Sequence, residues 1–232
     1  MLTVGMSPIV CNLSWKFTLG VVTLRGVDCK RLEPALEKVY AGIRAANGDV
    51  LERVLARIAA FEEYFTSNGW HFPLRRQLEG ILKRPPSGGA LVRALLLAET
   101  STGVLMGAHS LSALKGDLLC DLAAEGETFV GIRNTVRCRT NEIVLRDAEG
   151  IIASVFQGPD QRTLLKKESK NVVFFLFGAP SVTGSEVEAA AKALAEIFRD
   201  TLCAVDIRLL RTREAGSGPQ SGSDDALPRQ VS

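Results

Sequence analysis

The chain has 232 residues, 46% hydrophobic and 23% charged, and a formal net charge of +2. That length and apolar fraction suit one large globular domain or two small ones with a real core, and the near-neutral charge argues against wholesale coating of nucleic acid. Five scattered cysteines with no C-x-x-C pair, and only two histidines, His71 and His109, argue against a disulfide framework or a metal centre.

The first fifteen residues form an extension whose start looks frayed. Asn12, Ser14 and Lys16 interrupt its apolar residues, so neither a signal peptide nor a membrane span is expected, and cytoplasmic is the default location. "KFTLGVVTLRGV" (16–27) predicts the first strand, closed by Gly26. Leu32, Leu36, Val39 and Ile43 recur at helical spacing up to Asn47-Gly48. Asp49 with Glu52 forms a capping-box pattern for a second helix carrying Val54, Ile58, Phe61 and Phe65 to Gly69.

"FPLRRQLEGILKRPP" (72–86) predicts a short helix stopped by prolines, and "GGALVRALLLAE" (88–99) a buried one. From Gly103 the period shortens. Runs such as "GVLMGAHSL", "EIVLRD", "IIASVF" and "NVVFFLFG" predict short strands between Gly, Asn and Asp-Ala-Glu-Gly turns. Ser185 with Glu188 predicts the cap of a last long helix, and "CAVDIRLL" (203–210) a last strand. After residue 211 the chain is nearly devoid of apolar residues, and a disordered tail is expected. The expected fold is α+β: a helical N-terminal part, a β-rich centre of short strands, and a C-terminal helix packed on a mixed sheet.

Standard catalytic signatures are missing. No G-x-S-x-G elbow, no glycine-rich phosphate loop between strand and helix, and no identifiable carboxylate pair is present. What stands out is polarity at predicted strand ends. Glu99, Thr100, Ser101 and Thr102 follow a buried helix, and His109 sits in an apolar strand. "QGPDQRT" (157–163) closes another strand with Gln157, Gly158, Asp160, Arg162 and Thr163. Each has a plain structural alternative: a helix end, a satisfied core histidine, an Asx turn at Asp160, a solvated Arg162. Arg75, Arg76, Lys83 and Arg84 on one helix, with Lys166 and Lys167, are either solvated faces or phosphate contacts. Composition and spacing stop at an α+β domain with a polar cleft.

The order of three stretches adds to this. "GGALVRALLLAETSTGVLMGAHSLSALKGDLLCDLAAEGETF", "NEIVLRDAEGIIASVFQGPDQRT" and "SKNVVFFLFGAP" resemble the B3/B4 tRNA-editing domain of the bacterial phenylalanyl-tRNA synthetase β subunit. They are still more similar to free-standing proteins built from that domain. The resemblance covers about residues 16–210 and implies a trans-acting aminoacyl-tRNA deacylase, with mischarged tRNA as its partner and neither DNA nor membrane. No cofactor is expected, and the oligomeric state is left open.

An aminoacyl ester is already activated, so such a site works by positioning a water and offering donors to the oxyanion. On that footing Ser154, Gln157 and the Gly158 backbone are expected to line the cleft as catalytic groups. Asp160, Arg162 and Thr163 would shape its rim, with Arg162 meeting terminal phosphates. Thr100, Ser101 and His109 would bind substrate, and Arg75, Arg76, Lys83, Arg84, Lys166 and Lys167 the tRNA. The family's Thr-Asn, His and Glu positions fall on Leu95 and Leu96, Gly107, and Phe175, so none of those residues carries over. The resemblance therefore implies an amino acid other than tyrosine, such as the arginine mimic canavanine, for which Glu99, Asp121 and Asp160 are the candidate carboxylates. The alternative is a non-catalytic tRNA- or amino-acid-binding module of the same fold.

Overall fold

A computed structural model describes residues 2–212; the predicted tail lies almost wholly outside the described residues. In chain order the elements are β1 (Val4–Met6), α1 (Pro8–Cys11), β2 (Thr18–Arg25), α2 (Glu33–Ala45), α3 (Gly48–Ser67), α4 (Leu74–Lys83) and α5 (Ala90–Thr102). There follow β3 (Met106–Ser110), β4 (Leu118–Leu122), β5 (Thr128–Val130), β6 (Thr135–Arg137), β7 (Ile143–Asp147), β8 (Gly150–Ser154) and β9 (Gly158–Pro159). The chain then forms β10 (Val172–Phe177), α6 (Gly184–Ile197) and β11 (Ala204–Arg211). The fold is α+β.

Two sheets organise it. One has the order β11-β2-β10-β3, antiparallel throughout, and the other the order β1-β4-β7-β8-β9. Every residue of "VVFFLF" in β10 is buried, as a strand covered on both faces requires. Phe174 on one face meets Phe198 beyond α6, at 5.7 Å between ring centroids, whereas Phe175 on the other turns its ring toward His109. Gly20 in β2 lets α6 come close: a Cβ there would lie 3.2 Å from Val187 Cγ1 and 3.1 Å from Leu176 Cβ. Apolar residues of both sheets and all the larger helices share one core, while the β5–β6 hairpin covers Val144 and Ile151 with Phe129 as a smaller cluster.

Three local expectations are corrected. Val4–Met6 is not frayed but pairs in parallel with Leu118–Cys120. The second helix starts at Asn47 as N-cap, leaving Asp49 in its first turn without a capping bond. The last helix is capped by Thr183 with Glu186, two residues before Ser185 with Glu188; the Thr183 side chain takes the Glu186 N–H, and Glu186 takes the Thr183 N–H.

Candidate functional site

Of the strand-end segments 99–109 and 154–163, the far ends meet, His109 against Thr163. The Ser110 N–H donates to the Thr163 carbonyl at 2.8 Å, which places the His109 ring beside the Thr163 hydroxyl. His109 Nδ1 lies 2.6 Å from Thr163 Oγ1. That hydroxyl also bonds Asp160 Oδ1, which takes the Thr163 N–H at 3.1 Å as well. A hydroxyl has one proton to give. With that proton on Asp160, Nδ1 must be the donor to Thr163, and Nε2 is left as a bare acceptor.

Nε2 is buried and has no hydrogen-bond partner among the described residues. Burial, and then the Arg162 charge, push the imidazole down to about 4, so the ring is neutral at physiological pH. Burial raises the Asp160 carboxyl against the lowering effect of its bonds to Thr163. The missing side chain of Gly107 leaves room beside the free nitrogen. A Cβ there would have within 4 Å only His109 Nε2, at 3.8 Å, and Phe177 Cε2, at 3.9 Å.

Arg162 is held internally rather than offered to phosphate. It donates to Asp147 Oδ1 at 2.9 Å and to the Ala113 carbonyl at 2.8 Å, and lies 3.3 Å from Glu149 and 3.6 Å from Asp160. Asp147 also accepts the Lys115 and Glu149 N–H groups, both at 2.9 Å. Asp147 was not singled out from the sequence, although an Asp opening an Asp-Ala-Glu-Gly turn carried an Asx-turn signal.

Ser154 and Gln157 are brought together, but by another carboxyl that the sequence reading missed. Glu142, which is 2% exposed, accepts the Ser154 hydroxyl at 2.8 Å, the Gln157 side-chain amide at 2.9 and 3.1 Å, and the Arg139 N–H at 2.8 Å. The available signal was an acid at the head of the apolar run "IVL". The Ser154 hydroxyl also receives the Phe156 and Gln157 N–H groups, at 3.2 and 3.3 Å. Phe156 anchors this turn among Phe65, Tyr64 and Trp70, and the Arg139 guanidinium lies 4.4 Å above the Trp70 ring. Burial pushes the Tyr64 hydroxyl up to about 12. Gly158 adopts a left-handed φ of +83° and pairs with Ser154 at the start of β9, so part of the expected turn is strand.

The other predicted residues lie apart from this centre. Glu99, Thr100, Ser101 and Thr102 extend α5 by a turn, and the three hydroxyls donate to carbonyls of their own helix. Buried Glu99 accepts the Met106 N–H at 2.8 Å, joining α5 to β3, and burial pushes its carboxyl up to about 8. Asp121 lies 3.1 Å from Arg146, which also binds Glu127. Arg75 forms a two-bond pair with Glu62, both at 2.7 Å, and is occupied there; Arg76, Lys83 and Arg84 are exposed on and just after α4.

Lys166 and Lys167 border a cavity of about 750 Å³ with Lys30, Glu33, Leu165, and residues 88–91, where the chain enters α5. The start of α5 has no side-chain cap. Leu165 in the cavity wall is two residues from Thr163.

No family model and no curated protein matches the chain. Among solved structures it is similar to an N-terminal fragment of the phenylalanyl-tRNA synthetase β-subunit from Pyrococcus horikoshii, at 9% identity and a TM-score of 0.49. The match covers 92% of this chain and 55% of that fragment, so the chain spans about half the fragment's length. This is a weak resemblance at the level of fold. Among the described residues no helix is long and apolar enough to cross a membrane.

Proposed function

We propose that the protein is a trans-acting deacylase of mischarged aminoacyl-tRNA, with His109 as its working base. The observation that carries this reading is the chain Asp160–Thr163–His109, which ends on a buried imidazole nitrogen without a partner among the described residues. A water over Gly107 would give a proton to Nε2 and attack the ester carbonyl. The carbon–oxygen bond to the ribose then breaks, and the imidazolium returns its proton to the leaving ribose oxygen, giving a free amino acid and tRNA. A hydroxyl–carboxyl relay behind the ring holds it in the Nδ1–H tautomer, which leaves Nε2 free to accept the water's proton.

The cavity two residues beyond Thr163, where Lys30, Lys166 and Lys167 outnumber Glu33, suits the terminal phosphates. His109 has no solvent exposure, so the reading requires segment 158–163 to lift when tRNA docks. The sequence resemblance to the synthetase editing domain supports the substrate class.

A second reading, a binding module without catalysis, is favoured by the Glu142 cluster. The donors of Ser154 and Gln157, which an oxyanion would need, are already bound to a buried carboxyl. Incubating the protein with canavanyl-tRNA and a panel of other mischarged tRNAs separates the two. Release of one amino acid, lost in His109→Ala, supports the deacylase. Retention of tRNA on filters with no release of any amino acid overturns it and selects the binding module.

A further inference from the structure

Strand β11 is the outer strand of its sheet. It pairs along all eight residues with β2, and among the described residues nothing pairs with its other side. The Thr212 N–H donates to the Phe17 carbonyl, which sets the phase of the ladder. Residues 204, 206, 208 and 210 therefore turn their backbone groups to β2, and Val205, Ile207 and Leu209 turn theirs outward. The strand has no proline and no lysine; its charged side chains are Asp206 and Arg208, which pair with each other at 2.8 Å, with Arg208 also donating to the Leu2 carbonyl at 2.7 Å, and Arg211 at its end. It also exposes apolar side chains, with Val205 at 43%, Ile207 at 37% and nearby Leu202 at 78% exposure.

We propose that this edge pairs with the same edge of a second copy, antiparallel about a twofold axis at Ile207, giving one continuous eight-stranded sheet. The charges choose that register. Centring the axis on residue 206 sets Asp206 against itself, and centring it on 208 sets Arg208 against itself. Centring it on 207 places Asp206 of each copy opposite Arg208 of the other, twice. The same register sets Val205 against Leu209 and Ile207 against Ile207, which covers the exposed apolar row. The outward N–H and C=O groups of residues 205, 207 and 209 then all find partners. The surface is independent of the catalytic reading, because β11 lies at the opposite edge of the sheet from β3 and His109.

Sedimentation equilibrium of the full chain tests this. The wild type should dimerise reversibly with concentration. Asp206→Arg, which opposes like charges twice, should be monomeric, and adding Arg208→Asp to it should restore the dimer. The double exchange also restores the Asp206–Arg208 pair within each strand, so a backbone variant supplies the independent arm. Ile207→Pro removes an outward N–H that the fold itself does not use, and should give a folded monomer. A wild type that stays monomeric up to its solubility limit overturns the proposal, as does a dimer that survives in both Asp206→Arg and Ile207→Pro.

Discussion

His109 Nδ1 and Thr163 Oγ1 lie 2.6 Å apart, joining two strand ends separated by 54 residues. Thr163→Val keeps the shape but removes the hydroxyl, so a buried ring N–H loses its acceptor and Asp160 loses a donor. The expected cost is about 1–3 kcal/mol in urea unfolding. If His109 is the base, deacylation by the folded variant should fall by about 10²-fold or more. Thr163→Ser, which retains the hydroxyl, should recover most of both.

The pH dependence of stability should show two opposed slopes. His109 is held down to about 4 from 6.5, so as pH falls through that window only the unfolded chain takes up the proton, and stability is lost. Glu99 is held up to about 8 from 4.5. Below 4.5 both states keep its proton; between 4.5 and 8 only the folded state does, so its contribution fades as pH rises. Above 6.5 the Glu99 slope stands alone, and thermal unfolding should show stability declining from pH 6.5 to 8. Glu99→Gln still accepts the Met106 N–H and should flatten that decline. At about 1.4 kcal/mol per pKa unit, the variant should be more stable at pH 8 by on the order of 4 kcal/mol. An unchanged slope in the variant would show that Glu99 titrates normally.

Much of this frame was legible because it rests on local periodicity. The six apolar residues of β10 and the Val54, Ile58, Phe61 and Phe65 stripe of α3 announce their elements and their burial. The errors arise where two local answers compete or a distant partner decides. "TGSEVE" holds two overlapping capping frames, Thr183 with Glu186 and Ser185 with Glu188, and where the chain leaves β10 selects between them. Val4–Met6 becomes a strand only because β4, more than a hundred residues later, lies beside it. Glu99 looked like a ligand carboxyl, yet the turn at Gly103 folds Met106 back onto it. The polar character of 154–163 was visible; that Glu142 and Asp147 would bind most of it was not, since both partners come from β7 and its approach.

The Glu142 cluster predicts non-additive mutational costs. Ser154→Ala and Gln157→Ala each remove one donor and should cost about 1 kcal/mol. Glu142→Ala instead strands two donors around a carboxyl that is 2% exposed, the Ser154 hydroxyl and the Arg139 N–H, and leaves the Gln157 amide only the Arg137 carbonyl at 3.2 Å. Its expected cost is on the order of 3 kcal/mol. Combining it with Ser154→Ala should cost less than the sum, because the hydroxyl no longer needs a partner once it is gone. Additive costs in denaturant titrations would mean that Ser154 and Gln157 are satisfied by something other than Glu142.

Gly103 sets the geometry on which the His109 strand depends. It closes α5 at a φ of +69°, with its N–H on the Glu99 carbonyl at 2.7 Å, and turns the chain into β3. A side chain there meets two obstacles. The left-handed conformation costs a non-glycine residue about 1–2 kcal/mol, and a Cβ would fall 2.6 Å from the Val54 carbonyl oxygen in α3, which is backbone and cannot rotate away. Gly103→Ala should therefore lower stability by about 2–4 kcal/mol, beyond the backbone term alone. Relief by displacement would push α5 away from α3 and weaken the Glu99 bond to Met106. The variant's His109 ring should then titrate closer to an ordinary histidine, as read from its imidazole proton shifts in NMR; a ring still neutral at pH 5 would show that the turn and the strand are uncoupled.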